Sequence, residues 1–196
     1  MPLQVRWLLL LFAGLASTPA SAAPIPEVWI EQRGEGFAVS ARLSVGVTRA
    51  IAWGVITDYN HVGDFVADME ESRIVSRTGE PTLVRQTGAW HLLGFRVPVR
   101  IVAQVEEQPM RSVSFRSVSG NVRIENGEWR IVDHAGGVAI TYRIECTPDF
   151  WVPPILGATL IRRDVRAKLT QVAQEMLRRD AAQRTVPSRS LPEPAF

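Results

Sequence analysis

Apolar residues hold the odd positions and small or polar ones the even positions through Phe37-Ala38-Val39-Ser40-Ala41-Arg42-Leu43-Ser44-Val45. A period of two predicts a strand with one buried face. The period then changes. Thr48 can N-cap a helix made apolar by Ala50, Ile51, Ala52, Trp53, Val55 and Ile56, and Asp58 can open a second, short one from Tyr59 to Val66. From Ser72 onward six more strands follow: Arg73–Thr78, Thr82–His91, Phe95–Glu107, Arg111–Val118, Glu128–His134 and Val138–Thr147. Gly79-Glu80-Pro81, Leu93-Gly94, Gln108-Pro109, Ser119-Gly120-Asn121 and Ala135-Gly136-Gly137 separate them as turns. Asn126-Gly127 marks either a further turn, which would make an eighth strand, or a bulge.

One long helix closes the pattern, from Ile155 to about Ala182. On a wheel of 100° per residue, Val165, Leu169, Val172, Ala158 and Met176 fall within about 80° of Ile161. The expected fold is α+β: a seven-stranded antiparallel sheet wrapped around the C-terminal helix, with two short helices after strand 1. A twisted sheet diverges from a helix laid across it and can leave a cavity between the layers. The residues expected to line that cavity are Val99, Ile101, Phe115 and Tyr142 from the strands. From the helix come Ile161, Arg162, Val165, Arg166, Leu169, Val172 and Met176.

The two ends read differently from the middle. Met1–Ala22 has a basic n-region at Arg6, a ten-residue apolar run from Trp7 to Ala16, and Ala20-Ser21-Ala22 as a cleavage site. Such a run rises about 15 Å as a helix, half the hydrocarbon thickness, so it reads as a secretory signal rather than a span. The expected organisation is a signal peptide over 1–22, a Pro-punctuated leader over 23–34, the folded domain over 35–182 and a disordered tail over 183–196. The expected location is secreted or periplasmic.

Composition narrows the function class. With 22 basic against 20 acidic residues and 46% apolar content, the chain is neither a disordered polymer nor a dedicated nucleic-acid binder. Only Lys168 among the basic residues is a lysine, a skew that reads as coding bias. Cys146, the one cysteine, shares a strand face with Val138, Ile140, Tyr142 and Ile144, so a buried, inert thiol is expected. Eight basic residues against three acidic ones between Arg162 and Arg189 give the last helix a cationic face suited to transient contact with an anionic membrane surface.

Asp58, His61 and Asp64 stand three apart on one side of a helix, where imidazole and carboxylates can hold zinc or manganese, yet no other His or Cys cluster supports a metal. An N-cap and a solvated face is the plainer reading. His91 and His134 sit at strand ends without a partner in the local sequence. No nucleophile elbow, phosphate loop or dinucleotide fingerprint is present. Arg162 and Arg166 fall inside the apolar arc of the long helix. They must reach the rim, or meet an anion: Glu145, Glu128 or an acidic ligand head. No catalytic residue, metal or cofactor is assigned.

Ala52-Trp53-Gly54-Val55-Ile56-Thr57-Asp58-Tyr59-Asn60-His61-Val62-Gly63-Asp64-Phe65-Val66, followed by Ser72-Arg73-Ile74-Val75, resembles the helix-grip fold of the START-like superfamily, in its polyketide cyclase and coenzyme-Q-binding branch. Gly127-Glu128-Trp129-Arg130-Ile131 and the later Gly136-Gly137 resemble that family's tryptophan strand and glycine hairpin. The family pattern usually has Pro near the position of Gly63, and the export signal is unusual for it. The resemblance implies a protein that holds a lipid, quinone or polyketide-like molecule. A cyclase or dehydratase using the same cavity, and a ligand-free interaction module, are the alternatives.

Overall fold

The computed structural model describes residues 24–76, 81–92, 94–152 and 156–185. The expected signal peptide over 1–22, and the residues beyond Thr185, lie outside the described residues. Among the described residues eight strands, not seven, form one antiparallel sheet in the order β1-β2-β8-β7-β6-β5-β4-β3. The additional strand is β1 (Glu27–Arg33), which pairs with β2 (Gly36–Val45) from Glu27↔Arg42 to Arg33↔Gly36. Pro24 and Pro26 give this stretch the look of a linker, and only Val28 and Ile30 carry its inward face. Its place comes from a two-residue turn in which Gly34 takes φ +60°, and from the free edge of β2. The short helices therefore follow the second strand rather than the first.

Thr48 caps α1 (Arg49–Ile56) as its side chain accepts from the Ile51 amide at 3.4 Å, and Ile51, Ala52 and Val55 turn inward. A single 3₁₀ turn (Tyr59–His61) and α2 (Val62–Phe65) follow. The meander then runs through β3 (Met69–Ser76), β4 (Thr82–Leu92), β5 (Phe95–Gln108), β6 (Ser112–Gly120), β7 (Val122–His134) and β8 (Gly137–Pro148). Asn126-Gly127 is a bulge inside β7, where the register with β8 shifts between Ile124 and Asn126, and no separate strand begins there. The long helix α3 (Gly157–Thr185) lies across the inner face of the sheet.

Alternation sorts the two faces as the period of two requires. Phe37, Val39, Ala41, Leu43 and Val45 of β2 are all buried. Their neighbours on β8, Val138 and Ile140, close one end of the core with Ala173 and Met176 of α3 and the buried side of α1. Ile161 and Leu169 pack on Val28, Phe37, Val39 and Ala41 along the β1–β2 edge. Two acids on α3, Glu175 and Asp180, are buried despite their charge. Glu175 is held by Arg178 and Arg179 at 2.6 Å each, and Asp180 by Arg184 at 2.5 Å.

Candidate functional site

Between α3 and strands β4 to β8 the inner face does not close. A cavity of about 280 Å³ remains, partly open to solvent. Its floor is the inward row of β5, Val99, Ile101, Ala103 and Val105, flanked by Val84 and Trp90 of β4 and by Val113 and Phe115 of β6. Tyr142 and Ile144 of β8 and Trp129 of β7 form its far side. Val165, Lys168, Leu169 and Val172 of α3 form its roof, and Tyr59, Val62 and Phe65 close it from the short helices. Small, mostly apolar and few in polar groups, this lining has the character of a hydrophobic ligand site.

Seven of the eleven residues expected from the sequence meet here: Val99, Ile101, Phe115, Tyr142, Val165, Leu169 and Val172. The other four do not line the cavity. Ile161 packs in the β1–β2 cluster and Met176 in the fully closed end beside Ala173. Arg166 is exposed. Arg162 is half-buried, with its Nε shut away from solvent and without a hydrogen-bond partner among the described residues. Glu145 and Glu128 are not its counter-ions. Both point to the opposite face of the sheet, where Glu145 pairs with Arg33 at 2.9 Å and Glu128 with Arg130 at 2.7 Å.

The aromatic side chains interlock. Trp129 and Tyr142 lie 4.5 Å apart between ring centroids, and Phe115 runs nearly parallel to Tyr142 at 6.3 Å. Gly127 makes this possible, because a Cβ there would fall 2.1 Å from the Phe115 ring. Tyr142 lies deep in the protein, and burial, helped by the charges of Cys146 and Asp164, pushes its pKa well up. It nevertheless keeps accessible surface, which belongs to the cavity. Cys146, below the same sheet face, is buried, and burial pushes its thiol up to about 12, so it stays protonated and inert.

Several polar groups around the cavity have partners on hand. Tyr59 donates to Glu107 at 2.8 Å, Gln86 donates to Ser72 at 3.2 Å, and Lys168 meets Asp164 at 2.8 Å. His91 lies 3.3 Å from Asp68, a pairing across β4 and the start of β3 that local sequence could not show. Gly88 lets that approach happen, since a Cβ there would stand 2.2 Å from the Asp68 carbonyl oxygen.

Asp58 and His61 do meet, at 2.6 Å, but as part of a clamp. Arg179 reaches from α3 to Asp58 at 2.7 Å and lies over the Phe65 ring at 5.8 Å. Burial raises the Asp58 pKa, but hydrogen bonds from His61 and Arg179 outweigh it and hold the carboxyl below its ordinary value. The same bond raises His61 above 6.5. No cluster of three metal-ligating side chains occurs among the described residues.

A second hollow, of about 530 Å³, lies on the outer face of the sheet beside Trp29, Ser40, Arg143 and Glu145. It is larger but more open to solvent and more polar than the inner cavity, and its Arg33, Glu31 and Glu145 are tied to one another. The inner cavity is the better ligand site.

A family model for polyketide cyclase/dehydrase and lipid transport proteins matches residues 45–173, from the end of β2 to the middle of α3. The chain belongs to this family. Membership implies binding of a hydrophobic ligand, and the matched span contains every strand and most of the roof of the inner cavity apart from β1 and the body of β2. Solved structures share the helix-grip fold. Human STARD10 aligns with a TM-score of 0.63 at 10% identity, over 83% of this chain and 74% of its own. The Zhui aromatase/cyclase of a Streptomyces species gives 0.60 at 13% identity, over 77% and 97%. A STAR-related lipid transfer protein of Xanthomonas axonopodis gives 0.59 at 14%, over 78% and 93%. At such identities the likeness speaks for the fold alone. No curated protein matches the sequence.

Proposed function

We propose that the protein is a carrier that holds a hydrophobic small molecule, of lipid, quinone or polyketide-like character, between the sheet and α3 without transforming it. The observation that carries this reading is the 280 Å³ space itself, walled by apolar side chains that keep accessible surface deep inside the fold. An apolar hollow of that kind gains free energy when an apolar ligand displaces its water. Family membership supports the ligand class.

The reading includes export, on the strength of the n-region, apolar run and small-residue cleavage site in Met1–Ala22. Among the described residues no helix is long and apolar enough to cross a membrane. Transient contact of the cationic side of α3 with anionic lipid would let a ligand pass between bilayer and cavity.

Native mass spectrometry of the protein expressed with its leader, followed by organic extraction, tests both parts. The expected result is an N-terminus at Ala23 and a non-covalent adduct whose extracted mass matches an unmodified hydrophobic metabolite. Material retaining Met1 would overturn export. A ligand released in altered form would move the reading to the cyclase or dehydratase.

A further inference from the structure

At its middle β2 presents only small side chains to the outer face of the sheet, Ala38 and Ser40, while β1 and β8 on either side present long ones. The 530 Å³ hollow follows from that contrast. Its floor is β2, and its walls are side chains of β1 and β8, whose backbones lie about 10 Å apart. Register aligns the groups around it. Trp29 stands opposite Ser40, Ser40 opposite Arg143, Arg143 opposite Glu128 and Glu128 opposite Ser114, so one line of side chains crosses five strands. Residues opposite one another in an antiparallel pair share a face and stand within side-chain reach. A second line, Glu31, Ala38, Glu145 and Asn126, runs beside the first.

Trp29 supplies the aromatic surface of this trough and is 51% exposed. Around it the polar groups are held in place. Glu145 accepts from Arg33 at 2.9 Å and from Asn126 at 3.3 Å, Glu31 binds Arg33 at 3.0 Å, and Glu128 binds Arg130 at 2.7 Å. A carboxylate can accept more bonds than these, so each keeps lone pairs free. Arg143 is exposed and has no hydrogen-bond or ion-pair partner among the described residues, which leaves its donors open. With Arg130 counted, three guanidiniums balance three carboxylates, and the lining favours neither an anion nor a cation. It offers one flat apolar surface beside planar groups that donate and accept. A pyranose has the matching shape: C–H bonds on a face of the ring that stack on an indole, and a rim of hydroxyls that each donate and accept.

We infer that the trough over β2 is a carbohydrate site, which takes one ring of a neutral saccharide against Trp29 and its hydroxyls on Arg143, Glu128 and Glu145. The site lies on the far side of the sheet from the inner cavity and stands or falls independently of the carrier reading.

Amide and indole NMR shifts of the purified protein are followed as maltose, cellobiose, N,N′-diacetylchitobiose or sorbitol is added to about 50 mM. Sorbitol carries hydroxyls on an open chain and lacks a ring face. The expected result is a saturable shift of the Trp29 indole and of the Ser40, Arg143 and Glu128 amides with at least one disaccharide, at a dissociation constant on the order of 1 mM, and none with sorbitol. Trp29→Ala and Arg143→Ala should each weaken that binding about tenfold, the worth of one stacked ring or one charge-assisted hydrogen bond. Both side chains are largely exposed, so both variants should melt close to the wild type. Should Trp29→Ala loosen the edge strand β1, Arg143→Ala on the interior strand β8 carries the test alone. No saturable shift with any of the three disaccharides would overturn the carbohydrate site. So would equal shifts with sorbitol, shifts confined to the inward row of β5, or an affinity unchanged in a folded variant.

Discussion

At the end of the sheet nearest α1, Ile140 of β8 meets Ala173 and Met176 of α3, and all three have 0% of their surface exposed. Toward β4, β5 and β6 the inward row Val99, Ile101 and Phe115 is no less apolar, yet it stays half-buried opposite Val165 and Val172. What differs is the third layer. Over β2 and β8, α1 adds Ile51, Ala52 and Val55 to fill the angle between sheet and helix. Over β5 and β6 the last turn of α1, the 3₁₀ turn and α2 reach across but leave the space open. The same alternating sequence pattern therefore produces a solid core at one end and a ligand-sized hollow at the other.

Truncation should expose the contrast most strongly. Met176→Ala, at the solid end, is expected to cost about 2–5 kcal/mol, because the side chain is fully packed and a new cavity opens. Ile101→Ala, on the cavity floor, should cost less than about half of that, since part of its surface is already unburied and space is already present. Urea unfolding of the two variants checks the ratio, and equal losses would erase the distinction between the ends.

The clamp between the two regions comes next in size. Arg179 ties α3 to Asp58 and, over Phe65, to the segment that closes the cavity. Arg179→Ala should cost about 1–2 kcal/mol, as a charge-assisted bond is lost and Glu175 and Asp58 each lose a partner. Hydrogen exchange should rise selectively in residues 58–66, with the solid end around Ile140 unaffected.

Gly127→Ala sharpens the comparison from the other side. The new methyl would strike the Phe115 ring and press it toward the hollow. Stability should change by no more than about 1–2 kcal/mol, because the ring has somewhere to go, while uptake of an apolar probe weakens several-fold. A severe loss of stability with unchanged uptake would show that Phe115 does not border free space.

The smallest effect is one of pH. His61 has its pKa raised above 6.5 by its bond to Asp58, so the pair stabilises the fold fully below pH 6.5, and the contribution fades as pH rises through the folded value. Asp58 works in the opposite sense: its lowered pKa gives stability above 3.8 that is lost as pH falls through the folded value. Melting temperatures of the wild type and His61→Gln should therefore converge above neutrality and separate slightly near pH 5.5. His61 is solvent-exposed, so the separation should be small and weakened by salt.

The strands and the long helix were legible because a period of two and a period of 3.6 leave direct marks in the order of apolar residues. β1 was not, since Val28 and Ile30 are too few to outweigh two prolines, and its pairing is a matter of backbone at the edge of β2. The cavity floor could be read from β5 and the roof from Val165, Leu169 and Val172, all of which follow from periodicity alone. Tyr59, Phe65 and Trp129 lay outside that reading, because lining a hollow depends on where the layers part rather than on which face is apolar. Ile161 and Met176 failed for the converse reason: they share the helix stripe but sit where the space is filled. Burial of Glu175 and Asp180 was invisible too, because arginines within one helical turn satisfy both.

Titration of Nile red, a neutral apolar fluorophore, into the wild type and Val172→Trp tests the central claim most directly. Val172 borders both the cavity and the packed cluster of Ala173 and Met176, and an indole there would take up part of the cavity. The expected result is saturable, blue-shifted binding at one site in the wild type and its loss in Val172→Trp, with the two melting within a few degrees of each other. A wild type that never takes up the dye, together with a Val172→Trp variant that unfolds, would show instead that the space between sheet and helix is solid core.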